Sequence, residues 1–317
     1  VKPKKMNILI TRHDKIGDFV TSLPLYYVVK KANPDSTIYA LVSKVNIDLA
    51  KKIDFIDEVI LYDKDHFWQT LKAIKNANIN ISISAFIDTK LGWILFLSRI
   101  KIRIAPATKL AQLFFNKTLR QRRSLVEKTE IEYNLDLAKL LNSEIDLAYQ
   151  VPLLQLDKKQ EFRSNNQLNN KKIVLFHPGY GGSSDGNLAL EDYVRLSEVV
   201  RGLHNIQVVW VFGPDDLNVK DKIKVLIPAS DIIYQPPTVI DYCYLIRDSE
   251  LLISTSTGPM HLAGALNVET VSFFGSNLFA SSKRWATVSK MSKQSNFMID
   301  KDFDLSNIEK AIIEKLC

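Results

Sequence analysis

Four short segments of this 317-residue chain hold residue types that could do chemistry. The first, Arg12-His13-Asp14-Lys15-Ile16-Gly17-Asp18, gathers carboxylates, a histidine and cations ahead of a helical period. A carboxylate at such a turn can cap free backbone N–H groups. It can equally act as a general base for a substrate hydroxyl within hydrogen-bond reach, and both readings of Asp18 stand at this level. The second segment runs from His177 to Asn187, with four glycines between Gly179 and Gly186 and two serines. Such a backbone can wrap an anion or form a flexible surface loop. The third, Gly213-Pro214-Asp215-Asp216, reads as turn chemistry or as part of a metal site that lacks a third ligand at recognisable spacing. The fourth is Thr255-Ser256-Thr257-Gly258-Pro259-Met260-His261-Leu262-Ala263-Gly264-Ala265. Proline in a first helical turn loses no hydrogen bond, and the free N–H groups and positive dipole end there make an anion site. His261 fits a phosphate donor or an ordinary structural histidine.

The elements that must position these segments follow from hydrophobic periodicity. Asn7–Thr11, Thr37–Val42, Glu58–Leu61 and Ile79–Ser84 read as strands, with helices over Phe19–Ala32, about Val45–Ile53 and Phe67–Asn76. The polar stretch Leu156–Lys172 interrupts the pattern, which then restarts. Strands over Ile173–His177, Gln207–Phe212, Ile232–Tyr234, Leu251–Ser254 and Thr270–Phe274 alternate with helices over Leu190–Leu203, Val219–Ile227, Val239–Arg247 and Pro259–Leu266. Alternation of this kind implies an α/β chain of two doubly wound parallel-sheet domains. The expected layout is a first domain over 1–156, a linker over 157–172 and a second domain over 173–304. A last helix over 305–317 is expected to pack back on the first domain. In open α/β sheets ligands bind at the carboxyl ends of strands, and each of the four segments directly follows a strand.

Composition narrows the classes. Hydrophobic residues at 46% and charged residues at 24% exclude disordered and fibrous architectures. No apolar run reaches membrane-spanning length, and the basic start lacks the apolar stretch of a secretory signal. Cys243 and Cys317 make neither a disulfide framework nor a metal quartet, which suits a reducing cytoplasm. A nicotinamide enzyme is disfavoured because no G-x-G-x-x-G follows the first strand, and no Walker A lysine follows the glycine loop. The net charge is +7, carried by the first half: up to residue 160 there are 26 Lys and Arg against 17 Asp and Glu, and beyond it 16 against 18. The densest patch, Arg99 to Lys128, suits either a solvated helix face or contact with phosphates. No helix-turn-helix or aromatic-interleaved pattern accompanies it, so nucleic acid is not expected as a partner.

Taken together, Ile16-Gly17-Asp18, His177-Pro178-Gly179, Gly213-Pro214-Asp215-Asp216 and Ser256-Thr257-Gly258-Pro259-Met260-His261-Leu262-Ala263 resemble glycosyltransferase family 9, the ADP-heptose:lipopolysaccharide heptosyltransferases. The resemblance spans nearly the whole chain and rests mostly on the last motif. It implies a GT-B fold, two Rossmann-like domains facing a central cleft. It implies inverting transfer of heptose from ADP-heptose to the lipopolysaccharide inner core, without metal or cofactor, in the cytoplasm at the inner membrane. Asp18 matches the family's catalytic base. Thr257, Gly258 and His261 match positions around the donor phosphates, with Ser256, Pro259 and Met260 beside them, and Asp216 matches the acidic position near the adenosine. Lys15, Gly17, Gly182, Ser183 and Asn187 complete the expected donor set. The anionic acceptor is assigned to the basic first domain, through a subset of Arg120, Arg122 and Arg123. Leu110, Leu113, Phe114 and Phe115 among the cations of Arg99–Lys128 suit an amphipathic element at a membrane surface.

One departure concerns the donor. Where the family usually has Lys or Arg before a Trp-Pro pair, this chain reads Gly186-Asn187-Leu188-Ala189. Lys15 or Arg284 could meet the phosphate charge instead. Other readings are a relative using another nucleotide sugar or a protein acceptor, or a catalytically weakened binding module.

Overall fold

Runs such as Ile8-Leu9-Ile10 and Val208-Val209-Trp210-Val211 are buried throughout, as strands covered on both faces must be. In the computed structural model, which describes residues 5–108, 110–179 and 186–317, the chain divides after Gln155 into two units.

The first unit contains β1 (Asn7–Thr11), α1 (Ile16–Ala32), β2 (Thr37–Val42), α2 (Ile47–Ala50), β3 (Glu58–Leu61) and α3 (Phe67–Asn76). After these come β4 (Ile81–Ser84), α4 (Thr89–Leu97), β5 (Ile102–Pro106), β6 (Lys117–Leu119) and α5 (Glu130–Asp136). The strands pair in parallel in the order β3-β2-β1-β4-β5-β6. Ile8 lies opposite Ile38 on one side and Ile81 on the other. Helix α1 buries Phe19, Val20, Leu23, Leu25, Tyr26, Val28 and Val29, so it is apolar nearly all round and sits inside the unit.

The second unit contains α6 (Glu161–Asn165), β7 (Lys172–His177), α7 (Leu190–Arg201), β8 (Ile206–Val211), α8 (Leu217–Leu226), β9 (Ile232–Tyr234) and α9 (Val239–Arg247). Then follow β10 (Leu251–Thr255), α10 (Gly258–Ala265), β11 (Glu269–Gly275), α11 (Ser282–Trp285), β12 (Gln294–Ile299) and α12 (Leu305–Leu316). Its strands are parallel in the order β12-β11-β10-β7-β8-β9. Renumbered from β7, this is the order of the first sheet. Each sheet therefore has one topological switch point, between β1 and β4 and between β7 and β10, where ligand crevices form in such folds.

Three expectations are corrected. The stretch over 157–172 is not only a linker. Glu161–Asn165 forms α6, and Arg163 donates to the carbonyls of Leu168, Lys171 and Asp248, which ties the stretch to the second unit. The final helix belongs to the second unit. Leu305, Ile308, Ile312 and Leu316 of α12 join the core of the second unit, and Arg195–Glu309 and Lys315–Glu269 ion pairs hold its polar face there. The segment Arg99–Lys128 is not a solvated helix face, one of the two readings of its charge. It contains β5, a 3-10 turn over Leu110–Phe114, β6 and a second 3-10 turn over Arg123–Leu125. Its short apolar runs lack a sustained 3.6-residue period, and β5 pairs with β4.

Helix α4 escapes the periodicity because it is apolar nearly all round, and α5 because it spans only seven residues. Their caps are nonetheless written in the chain: Asp88 accepts from the Leu91 N–H, and Thr129 with Glu132 closes a capping box.

Candidate active site

The loop after β1 is built around a buried cation. Arg12, 3% exposed, donates from Nε to Asp14 at 2.8 Å, and one terminal nitrogen reaches Asp18 at 2.5 Å. The other faces Glu130 of α5 at 3.4 Å, and Glu130 is also held by Arg123. Asp18 lies in the first turn of α1, and the helix is capped by no side chain, so the capping alternative for this carboxylate is not what the fold uses. Burial pushes the Asp18 carboxyl above the ordinary carboxylate range. Arg12 pulls the other way, and the negative charges of Asp14 and Glu130 add to the rise. Arg12 is shared with Asp14 and Glu130, so its charge does not return Asp18 to the ordinary range. Gly17 is half-buried beside it, and Lys15 is exposed.

Next to this cluster stands one that sequence reasoning did not assign. His13 bonds through Nε2 to Asp88 at 2.8 Å, and the Tyr62 ring lies 4.3 Å from its imidazole. Burial tends to raise the Asp88 carboxyl, but hydrogen bonds from His13 and the Leu91 N–H, with the charges of His13 and Lys64, hold it at about 2. His13 sits at the end of β1 and Asp88 just past β4, the two strands that flank the switch point. The Asp88 cap was the legible signal; its pairing with His13 needed the sheet.

In the second unit, the loop after β10 leads into α10 at Gly258, with Pro259 in its first turn and no side-chain cap on Thr257. The first N–H groups of the helix therefore have no intrahelical partner. Ser256 and Thr257 are half-buried, and Met260 and His261 are buried. His261 is 4% exposed, and its Nδ1 has no hydrogen-bond partner among the described residues. Burial lowers its pKa from the ordinary value to about 4, so at neutral pH it is an uncharged imidazole that can donate or accept one hydrogen bond. Helix α10 lies against Thr287, whose Oγ1 would stand 1.7 Å from a Cβ at Gly264.

Asp216 sits past β8, buried, and accepts from the Gly213 N–H at 2.8 Å, with His177 Nε2 at 3.8 Å. A Cβ at Gly179 would meet its carboxyl carbon at 2.2 Å, so the glycine is there to let this carboxylate in. Part of the Asp216 carboxylate is thus used to close its own turn. Asn187 is used more completely: Nδ2 donates to the Pro178 carbonyl, and Oδ1 accepts from the Tyr193 hydroxyl and the Leu188 N–H. This side chain is held by its own neighbours in the second unit. Gly182 and Ser183 lie outside the described residues. Arg284 is 7% exposed with its guanidinium 3.6 Å over the Phe279 ring.

The three arginines, a subset of which is expected to hold an acceptor, lie in two settings. Arg120 and Arg122 are exposed and line a cavity of 400 Å³ with Lys128 and Lys139. Arg123 turns inward to Glu130 and to Gln121 Oε1 and belongs to the Arg12 cluster. Among the described residues no group of three or more His, Cys, Asp or Glu could hold a metal ion. No helix among them is long and apolar enough to cross a membrane.

Comparison with known proteins defines the class. The model of glycosyltransferase family 9 (heptosyltransferase) matches residues 67–310. A Haemophilus influenzae protein named "Putative glycosyltransferase" is 32% identical over 92% of this chain and 88% of its own length. The chain belongs to glycosyltransferase family 9. Lipooligosaccharide heptosyltransferase 2 of Campylobacter jejuni is 23% identical over 88% of this chain and 84% of its own length. The solved structure of Escherichia coli ADP-heptose LPS heptosyltransferase II superposes with a TM-score of 0.82 over 98% of both chains at 16% identity, which establishes two Rossmann-like units of the GT-B fold.

Proposed function

We propose that this glycosyltransferase moves heptose from ADP-heptose to the inner core of lipopolysaccharide, with inversion, at the cytoplasmic face of the inner membrane. The observation that carries the reading is the division of labour between the two switch points. A carboxylate with raised proton affinity stands after β1, and a helix start rich in unpaired N–H groups stands after β10. The family, and the likeness to heptosyltransferases of C. jejuni and E. coli, support heptose as the sugar and a lipopolysaccharide-type acceptor.

In this mechanism the acceptor hydroxyl loses its proton to Asp18 as its oxygen attacks the anomeric carbon. The bond from that carbon to the diphosphate breaks, and its electron pair leaves on ADP. Because attack and departure are on opposite faces of the sugar, one base suffices and the configuration inverts. The N–H groups of Thr257, Gly258 and Met260 and the dipole of α10 take up the charge that grows on the diphosphate. Neutral His261 adds a hydrogen bond without a counter-charge. The reaction needs no metal, since helix dipole and N–H donors do the work a cation does elsewhere. The acceptor's anionic groups are met by Arg120 and Arg122, beside the cavity they line.

The test is transfer from ADP-heptose to a truncated inner-core acceptor in the presence of a chelator. Turnover supports the reading. Turnover only with another nucleotide sugar would move the protein to a different donor, and nucleotide binding without any turnover would make it a binding module.

A further inference from the structure

We propose that the face made by α3, α4 and the 3-10 turn Leu110–Phe114 docks the first unit on an anionic lipid leaflet, a partner that rests on the membrane-borne acceptor proposed above. The first observation is apolar. Trp68 is 73% exposed, Leu110 82% and Leu113 79%, with Trp93 and Phe96 near half. These are not scattered. Trp93 lies 4.9 Å from the Phe114 ring and 6.1 Å from Phe96, and Phe96 and Trp68 line one surface cavity of 1060 Å³ with Lys75, Arg99 and Lys101. A contiguous apolar patch of this kind on a water-facing surface marks an interaction site.

The second observation is charge. From Phe67 to Val126 the chain carries eleven Lys and Arg and a single acid, Asp88. That acid is tied to His13 and the start of α4. Lys72, Lys75, Lys90, Arg99 and Lys101 are all exposed. The nearest acids before the stretch, Asp63 and Asp65, precede α3, and Asp63 is bonded to His66. Indole rings and leucines framed by cations match the layered chemistry of a leaflet, with acyl chains below and anionic headgroups around them.

The same two observations disfavour other occupants. A second copy would bring an equally positive face against this one, and like charges across an isologous contact repel. A nucleic acid would satisfy the cations but has no use for exposed leucines, which neither stack on bases nor pair with phosphates. This face also differs from the Arg120–Arg122 cavity and from the Arg12 cluster, so it can be changed without touching either.

The experiment is co-sedimentation of the full chain with vesicles of phosphatidylglycerol in phosphatidylethanolamine, compared with phosphatidylcholine alone. The wild type is expected to pellet with the anionic vesicles only, and less so as salt rises. Leu110→Ser with Leu113→Ser should weaken partitioning about ten-fold or more. Lys72→Gln, Lys75→Gln, Lys90→Gln and Lys101→Gln together should weaken it by up to about five-fold per charge and remove most of the salt dependence. Both variants change exposed side chains, and transfer to a water-soluble acceptor fragment should remain at the wild-type rate.

Absence of wild-type binding to anionic vesicles, or variants that bind as the wild type does, overturns the docking face. So does a leucine variant whose only change is a lower sedimentation mass, which makes the face a contact between copies, or binding to an RNA oligomer without binding to vesicles. Vesicle binding with no heptose transfer would remove the functional reading and leave the docking face standing.

Discussion

At the switch point of the first unit, Arg12 is ringed by Asp14, Asp18 and Glu130, whereas at that of the second Ser256, Thr257 and Gly258 bring no formal charge. The two sheets have the same strand order, and the two loops leave the same kind of strand end. What differs is the field each loop makes. A proton acceptor gains affinity from neighbouring negative charge and from burial, and both conditions would repel a diphosphate. An anion site needs donors with no carboxylate beside them, and a helix start framed by hydroxyls and glycine supplies them. On the function proposed above, one scaffold used twice separates two electrostatic demands that a single loop could not meet.

The comparison breaks most sharply at Asp18. Asp18→Asn keeps the shape and removes the proton acceptor, so turnover should fall about 100-fold or more while nucleotide affinity, measured by calorimetry, stays near wild type. Turnover within a few-fold of wild type would reduce Asp18 to a structural partner of Arg12. The converse change is Gly258→Val, which places a branched side chain where the diphosphate must approach backbone. Nucleotide affinity should drop about ten-fold or more with the fold intact by circular dichroism, and unchanged affinity would put the anion site elsewhere.

Smaller effects sharpen the contrast. Gly264→Ala forces a methyl into Thr287, and overpacking of this kind costs about 1–3 kcal/mol, seen as a lower Tm. Glu130→Gln removes one of the negative neighbours that raise Asp18, so the acid limb of the rate profile should move to lower pH. A limb that stays in place would mean that burial alone sets this carboxyl. His261 gives the mildest test. Its folded pKa of about 4 lies below the unfolded value near 6.5, so the fold keeps its full stability above about 6.5 and loses it as pH falls towards 4. His261→Gln should flatten that part of the Tm–pH curve, and a curve of unchanged slope would assign the acid sensitivity to other groups.

Much of this was legible in the residues. The alternation of strands and helices, and the placing of each chemistry-bearing segment directly after a strand, follow from hydrophobic period and from turn residues such as Gly258-Pro259. Helices α4 and α5 carried their caps openly, yet α4 is too uniformly apolar, and α5 too short, for an apolar period to stand out. The span from Arg99 to Lys128 suits a helix face in sequence because its cations are dense and its apolar runs short. In the folded unit β5 and β6 complete a sheet whose pairing no local pattern announces.

The residues alone thus determined two doubly wound units, Asp18 at one strand end and a Gly-Pro helix start at another, because period, capping and turn chemistry act within a few residues. Tertiary structure alone decided that Arg12, Glu130 and Arg123 meet, since Glu130 is 118 positions from Arg12 and 7 from Arg123, and the packing of α5 against α1 brings the distant pair within bonding distance. It also decided that Arg123 turns inward while Arg120 and Arg122 stay exposed, and that α12 closes the second core rather than the first. In each case a long-range contact chose among side chains that are locally equivalent. Local propensity cannot make that choice, because the energy that makes it comes from burial and charge pairing across the fold.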